Sequence, residues 1–152
     1  MADTAKTIEN LQVLVTELAQ AADAHAIQSK VFAAQGFSKL AEKYVGHATE
    51  EREFVDRMVD RIIDLGGEPA CEAKEAQPVI SDAIEYIRHD ADTNRGGIAW
   101  LHDVVEEAAG DYPTYDLLKE YYNDEVEDMN WGDAQLELIE KIGVANWYMT
   151  LL

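Results

Sequence analysis

Cysteine, basic residues and long apolar runs are all scarce in this sequence, and each scarcity excludes a class of protein. The one cysteine, Cys71, cannot form an internal disulfide and disfavours a thiolate metal site. Only 12 basic residues oppose 31 acidic ones, and the net charge of −19 repels phosphate backbones and anionic membranes while it attracts cations. No apolar run approaches the roughly 20 residues that cross a bilayer. We therefore expect neither a nucleic acid nor a membrane as a partner.

Length and composition predict one soluble domain that spans residues 1–152. Apolar residues make up 47% of the chain and charged residues 28%, which is typical of a globular protein and not of a disordered one. The amino terminus lacks the basic and apolar segments of a signal peptide, which together with the single cysteine predicts a cytoplasmic location. The acidity has a second interpretation, in which it only keeps the protein soluble or reflects a salty habitat.

Apolar residues recur at helical spacing along almost the whole chain, which predicts an all-α fold. Ser38 and Ser81 are the expected caps of the second and third helices, because a serine hydroxyl accepts a hydrogen bond from the first helical turn. The expected boundaries, in chain order, are 4–35, 38–65, 81 to near 110, 113–142 and, for a short fifth helix, 144–152.

The connection over residues 66–80 is too long for a tight turn between antiparallel neighbours, and it contains Pro69 and Pro78. We expect it to run the length of the molecule. Two pairs of long helices joined by one such crossover describe a four-helix bundle. Gly96 and Gly97 interrupt the third helix, where close helix packing or a kink would explain them.

Polar side chains fall on the inward faces of all four predicted long helices. Buried carboxylates repel one another and resist ionisation unless cations or dense hydrogen bonds offset their charge. A metal ion is one solution, and imidazole with carboxylate suits iron, manganese or zinc. The alternative is a set of hydrogen-bonded core residues without an ion. The six candidate metal ligands are His25, His47, Glu51, Asn94, Glu125 and Asp128.

Two segments of the sequence resemble bacterioferritin: HATEEREFVDRMVDRIIDLGGEP over 47–69 and YYNDEVEDMNWGDAQLELIEKIGVANWY over 121–148. With the helix lengths, the resemblance covers nearly the whole chain. It implies a ferritin-like four-helix bundle with a long crossover and a short fifth helix. It also implies subunits that assemble into a hollow homo-oligomeric cage, oxidise iron at a di-iron site inside each bundle and store it as mineral.

The di-iron ligands that the resemblance implies are only partly present. Glu51 and Glu125 stand where two of the six family ligands belong. The other four positions, two glutamates and two histidines in the family, hold residues of different chemistry: Leu18, Phe54, Asn94 and Asp128. The family also binds haem through a methionine directly after the second-helix glutamate, and Arg52 at that position predicts no haem there.

The remaining polar residues predict a displaced site. If the first two helices are antiparallel, His25 and His47 fall on the same side of the di-iron position that the resemblance implies. Asp128 is displaced to that side as well if the fourth helix runs parallel to the first. We expect a shifted site of His25, His47, Glu51, Glu125 and Asp128 with Asn94 at its edge.

Three functions are compatible with these features. The first is a cage subunit that binds, oxidises and stores iron at a remodelled site, with oxygen or peroxide as oxidant. The second is a cage protein without catalysis, whose centre has become a set of hydrogen-bonded polar groups. The third is a bundle that uses its metal for peroxide or oxygen chemistry without storage. Iron is the expected metal, with zinc and manganese as alternatives.

Overall fold

The computed structural model of the protein describes residues 2–152 and is all-α, as predicted. Four long helices form a four-helix bundle, and a short fifth helix follows. The helices are α1 (Thr4–Ala34), α2 (Ser38–Asp64), α3 (Ala83–Glu107), α4 (Tyr112–Ile142) and α5 (Val144–Met149). Within residues 2–152, none of these helices combines the length and the apolar character that a membrane span needs.

The bundle consists of two closely packed helix pairs. α1 packs along α2 and α3 along α4, whereas contacts between α1 and α3 and between α2 and α4 are sparse. The chain between α2 and α3, residues 65–82, crosses from one pair to the other. This arrangement confirms the predicted long crossover.

Glutamine side chains of α1 hold the crossover in place. The amide of Gln12 donates to the Ala70 carbonyl at 3.0 Å and accepts from the Ala70 N–H at 2.8 Å. Gln28 makes the same two bonds with Ile80, at 2.5 and 3.2 Å, and Gln20 adds a further bond to a backbone carbonyl between them. A glutamine amide can both donate to a backbone carbonyl and accept from a backbone N–H, as a neighbouring strand would. These backbone groups of the crossover are therefore hydrogen-bonded without secondary structure.

The predicted caps of α2 and α3 are wrong by one residue. Phe37 takes the N-cap position of α2, and Ser38 is the first helical residue. At α3 the N-cap is Asp82, whose carboxylate accepts from the Ile84 N–H at 2.9 Å, so Ser81 lies outside the helix. Aspartate caps as well as serine does, and its charge also interacts favourably with the helix dipole.

Two apolar clusters fill the two ends of the bundle. The first contains Leu11 and Leu18 of α1 together with the carboxyl-terminal half of α2 and the amino-terminal half of α4. The second contains Phe32 and Tyr44 together with the start of α3 and Trp147 of α5. Because the paired helices are antiparallel, the residues midway along all four helices lie between the clusters. The candidate metal ligands occupy this middle layer.

The fifth helix closes the end that holds the second cluster. Trp147 is buried, and its indole N–H donates to Gln135 at 2.9 Å. The backbone N–H of Lys39 donates to the Leu151 carbonyl at 2.9 Å, which ties the carboxyl terminus to the start of α2. The apolar residues of this segment therefore pack partly on their own bundle, while Met149 is 67% exposed.

The glycines of α3 and α4 have different surroundings. A Cβ added at Gly96 or Gly97 would meet no atom of the described residues within 4 Å, so close packing does not explain the pair. A Cβ at Gly132 would lie 3.0 Å from the Cβ of Ala91. Gly132 therefore permits the close approach of α3 and α4 directly beside the middle layer.

Replacing Gly132 by leucine should destabilise the protein, whereas the same change at Gly46 should not. Gly132→Leu overpacks the α3–α4 contact, and we expect its free energy of unfolding to fall by about 1–3 kcal/mol. Gly46 lies inside α2 with space around it in the described structure, so Gly46→Leu should raise stability by up to about 1 kcal/mol. Urea denaturation of both variants measures the difference, and a shift in the same direction for both would contradict the close approach.

Candidate metal centre

Three buried donor groups meet midway along the bundle. Donor atoms of His25 on α1 and of His47 and Glu51 on α2 lie within 4.8 Å of one another. Their residues are 9%, 3% and 2% exposed, respectively. His47 and Glu51 are one helical turn apart, which places both side chains on the same face of α2.

His25 bridges two carboxylates. Its Nδ1 lies 2.5 Å from Oε1 of Glu51, and its Nε2 lies 2.7 Å from Oδ1 of Asp90 on α3. Burial alone would lower the pKa of His25, but the hydrogen bonds to Asp90 and Glu51 outweigh burial and raise it to about 10. At neutral pH His25 is therefore an imidazolium that donates a hydrogen bond to a carboxylate from each ring nitrogen.

His47 has the opposite protonation. Burial, followed by the charge of the nearby His25, lowers the pKa of His47 to about 4. Neither ring nitrogen has a hydrogen-bond partner among residues 2–152, although Nε2 lies 3.5 Å from Oδ1 of Asp128 on α4. A neutral imidazole with a free lone pair is the form of histidine that binds metal ions.

Glu51 also offers a carboxylate oxygen that is free to bind a metal ion. One oxygen is bonded to His25, while the other, Oε2, is buried and has no hydrogen-bond partner within the described part of the chain. Burial raises the pKa of Glu51, and the hydrogen bond from His25 opposes that shift. Unpaired polar atoms in a core are costly, and a cation placed between Glu51 and His47 would satisfy both residues. The donor set thus fits a metal ion.

A second carboxylate group adjoins this one through Asp128. Oxygen atoms of Glu50, Asp124 and Asp128 lie within 4.8 Å of one another. Burial and the charge of Glu50 raise the pKa of Asp124 to about 6. Burial, followed by the charges of Asp124 and Glu125, raises the pKa of Asp128 to about 8. Asp128 therefore connects the buried donors to a more exposed acidic face of α2 and α4.

The remaining predicted ligands lie in the wall of an adjoining cavity. Glu125 and Asn94 line a cavity of about 430 Å³, together with His25, Glu51 and Asp128. Burial and the charge of Glu51 raise the pKa of Glu125 to about 7. The structure thus brings His25, His47 and Glu51 into one cluster, places Asp128 beside it, and leaves Glu125 and Asn94 on the cavity wall.

Comparisons with known proteins agree with this architecture. A family model described as a ferritin-like domain matches residues 8–142. The chain belongs to the ferritin-like family. A protein named bacterial ferritin from Neisseria meningitidis serogroup B is 32% identical over 145 residues, which cover 93% of this chain and 92% of that protein. Bacterial ferritins of Pseudomonas aeruginosa and Synechocystis are 29% identical over 149 residues and 30% identical over 139 residues. These matches cover 93% and 90% of this chain, and 94% and 88% of the two relatives.

Two positions where the resemblance implies metal ligands, those of Leu18 and Phe54, are occupied by apolar side chains in this ferritin-like bundle. Leu18 is 3% exposed within the first cluster, and the ring of Phe54 packs against Tyr121 at a centroid distance of 5.2 Å. Glu17, the residue beside Leu18, is exposed and pairs with Lys74 of the crossover. The first apolar cluster has therefore extended over the expected ligand positions.

Sequence analysis missed two residues of the site, Asp90 and Asp124. Asp90 follows the buried Ile87 by three residues and precedes Asn94 by four, so helical spacing already placed it near the inward face of α3. Asp124 precedes Asp128 by four residues on α4 in the same way. Both residues are half-buried at the edges of their inward stripes, where periodicity alone separates core from surface poorly.

Three further residues, His89, His102 and Arg52, lie outside the site. His89 and His102 are exposed on α3. Arg52, at the position of the family's haem methionine, is exposed on α2, and its guanidinium pairs with Asp23 at 3.0 Å.

The metal-free protein should lose stability as pH rises above about 6.5. The raised pKa of His25 means that its stabilisation is complete below 6.5 and is lost as pH approaches 10. Glu125 and Asp128 ionise in the folded state only near pH 7 and 8, at a cost that the unfolded chain does not have, so they act in the same direction. We expect the free energy of unfolding to fall by about 1–3 kcal/mol between pH 6.5 and 8.5, a drop in Tm of about 3–9 °C.

Thermal unfolding followed by circular dichroism measures this dependence. His47 acts only on the acid side, because its lowered pKa removes stability as pH falls from 6.5 towards 4. A Tm that stays constant or rises between pH 6.5 and 8.5 would contradict the proposed protonation states.

Proposed function

We propose that this chain is the subunit of a homo-oligomeric, cytoplasmic iron-storage cage that binds Fe(II) at a relocated centre inside each bundle. Membership of the ferritin-like family and relatives named bacterial ferritin support the storage role. One observation carries the relocated centre. It is the convergence of two buried groups in the layer between the two apolar clusters: the imidazole of His47 and a carboxylate oxygen of Glu51, neither of which has a hydrogen-bond partner among residues 2–152.

His47, Glu51 and Asp128 are the residues that would hold the ion. His47 supplies a neutral nitrogen, Glu51 the free Oε2, and Asp128 an oxygen 3.5 Å from His47. Iron supplies the Fe(II)/Fe(III) couple when it is bound, and zinc or manganese suits the same donors. The apolar side chains on either side of the layer lower the local dielectric constant and so strengthen the charge interactions within it.

His25 regulates access to the centre through its proton. As an imidazolium it already neutralises part of the charge of Glu51 and Asp90, so it supplies positive charge that a metal ion would otherwise provide. When the proton leaves, Nδ1 becomes a further ligand beside Glu51. Metal binding and proton release are therefore linked, and affinity for the ion should increase with pH.

The acidic face around Asp128 provides a path for cations. Glu50 is exposed and Asp124 is half-buried, and a carboxylate oxygen of Asp128 lies within 4.8 Å of an oxygen of each. Oδ1 of Asp128 also lies 3.5 Å from Nε2 of His47. A cation can move from solvent to the buried donors along carboxylates of increasing burial. Storage needs such a connection, because iron must leave the centre as well as enter it.

A cage without catalysis is the second candidate function, and one observation favours it. The His25 imidazolium satisfies one oxygen of Glu51 and one of Asp90 by direct hydrogen bonds, with no metal involved. A centre that has become a hydrogen-bonded polar layer would retain this arrangement. The unpartnered atoms of His47 and Glu51 favour the metal-binding function instead.

Replacing both His47 and Glu51 by glutamine should abolish tight metal binding. The exposed pair His102 and Glu106 has the same spacing on α3, so His102→Gln with Glu106→Gln is the matched control. Equilibrium dialysis against anaerobic Fe(II) or Zn²⁺, followed by elemental analysis, should show metal loss in the first double variant and none in the control. Circular dichroism verifies that both fold, and an unchanged metal content in the His47/Glu51 variant would refute the centre.

Oxygen addition after anaerobic loading with Fe(II) separates the candidate functions. Fast oxidation by a large closed shell, sized by light scattering, supports the iron-storage function. A closed shell that oxidises iron no faster than the His47/Glu51 double variant supports the non-catalytic cage. Fast oxidation by a small oligomer would instead indicate oxygen or peroxide chemistry without storage.

A further inference from the structure

The cavity beside the metal centre is much larger than an ion and its ligands require. It has a volume of about 430 Å³ and lies between α1 and α3, with Lys74 and Gln77 of the crossover at its rim. Cavities that bind organic ligands in proteins measure roughly 300–1,000 Å³. The space exists because α1 and α3 touch only sparsely and because Gly97 and Ala21 contribute no bulk to its walls.

The walls and the inner end of the cavity differ in chemistry. Leu18, Ile98 and Leu101 line the walls, and they offer an apolar body a surface to pack against. The inner end carries acidic groups: Glu51, Asp90, Glu125 and Asp128.

Cationic partners are present for only some of the acidic groups of the inner end. His25 compensates Glu51 and Asp90, while Lys74 at the rim is paired with Glu17. Oε2 of Glu51 has no hydrogen-bond partner among residues 2–152, and its side chain is almost fully buried and lines this cavity. A hydrogen-bond donor with a positive charge is the group that this end accepts, whereas an anion would be repelled.

We propose that the cavity binds a small amphiphilic ammonium compound, with its NH₃⁺ group among Glu51, Glu125 and Asp128 and its apolar body along Leu18, Ile98 and Leu101. An ammonium group can donate up to three hydrogen bonds, so it can bond to more than one of the carboxylates that line the inner end. The proposal is independent of iron storage, although it uses some of the same carboxylates. A metal ion and the ammonium group should therefore compete.

Titration calorimetry with three six-carbon compounds tests the ligand class. Hexylammonium chloride added to chelator-treated protein should bind one molecule per chain with a Kd below about 1 mM. Hexanol, which keeps the apolar body, should bind at least about tenfold more weakly, and hexanoate should not bind measurably. Equal binding of all three compounds, or no saturable binding of hexylammonium, would overturn the proposal.

Gly97 and Gly96 provide a matched pair of variants for locating the ligand. Both residues are exposed and lie inside α3, but only Gly97 lines the cavity. A Cβ at either position has no atom of residues 2–152 within 4 Å, so leucine causes no clash there. Leucine also has a higher helix propensity than glycine, and both variants should therefore fold. Gly97→Leu should weaken hexylammonium binding at least about tenfold, and Gly96→Leu should leave it unchanged. The same loss in both variants would place the ligand outside this cavity.

Competition with metal separates this proposal from the storage function. Saturating Zn²⁺ should weaken hexylammonium binding to the wild-type protein, and Gly97→Leu should keep its bound metal. Metal binding without hexylammonium binding would overturn the ligand proposal and leave the storage function standing. Hexylammonium binding without metal binding would support the ligand proposal and contradict the metal centre of the storage function.

Discussion

Carboxylates buried inside a helical bundle require a compensating positive charge, and the imidazolium of His25 provides it here. It reaches Glu51 of α2 on one side and Asp90 of α3 on the other, so one ring connects three helices across both helix pairs. Removing one partner of a buried charged pair typically costs about 3–5 kcal/mol. The middle layer is therefore held together by electrostatics, while the two apolar clusters on either side are held by burial of apolar surface.

The position of the centre follows from how these clusters divide the bundle. Leu18 and Phe54 belong to the first cluster, although they stand at positions where the resemblance implies ligands. His25 and His47 lie on the side of the second cluster, where their rings meet edge-on at a centroid distance of 5.6 Å. Tyr44 and Trp131 pack against the ring of His47, so the polar layer has an aromatic wall on the side of the second cluster. The middle of the bundle thus keeps a polar layer, although Leu18 and Phe54 stand at two positions where the resemblance implies ligands.

Helical periodicity was sufficient to predict the bundle, because each long helix carries one apolar stripe and the crossover contains two prolines in a stretch without such a stripe. It also placed His25, His47 and Glu51 on inward faces, and helix direction predicted that they would meet. Periodicity could not show that Asp90 pairs with His25, since this contact depends on the separation of α1 from α3. The predicted caps of α2 and α3 were wrong for local reasons. At α2 the helix begins at Ser38 itself, and the N-cap, Phe37, makes no side-chain cap hydrogen bond. At α3 Asp82 stands next to Ser81 and caps the helix in its place.

Crystals of the protein soaked in Fe(II) or Zn²⁺ and measured at the metal absorption edge would test the central claim most directly. If the middle layer binds a cation at the atoms that His25 leaves without a partner, the anomalous difference map should show a peak between the ring of His47 and Oε2 of Glu51, within bonding distance of both. Peaks confined to exposed carboxylates, with His47 and Glu51 unchanged at saturating metal, would contradict the account.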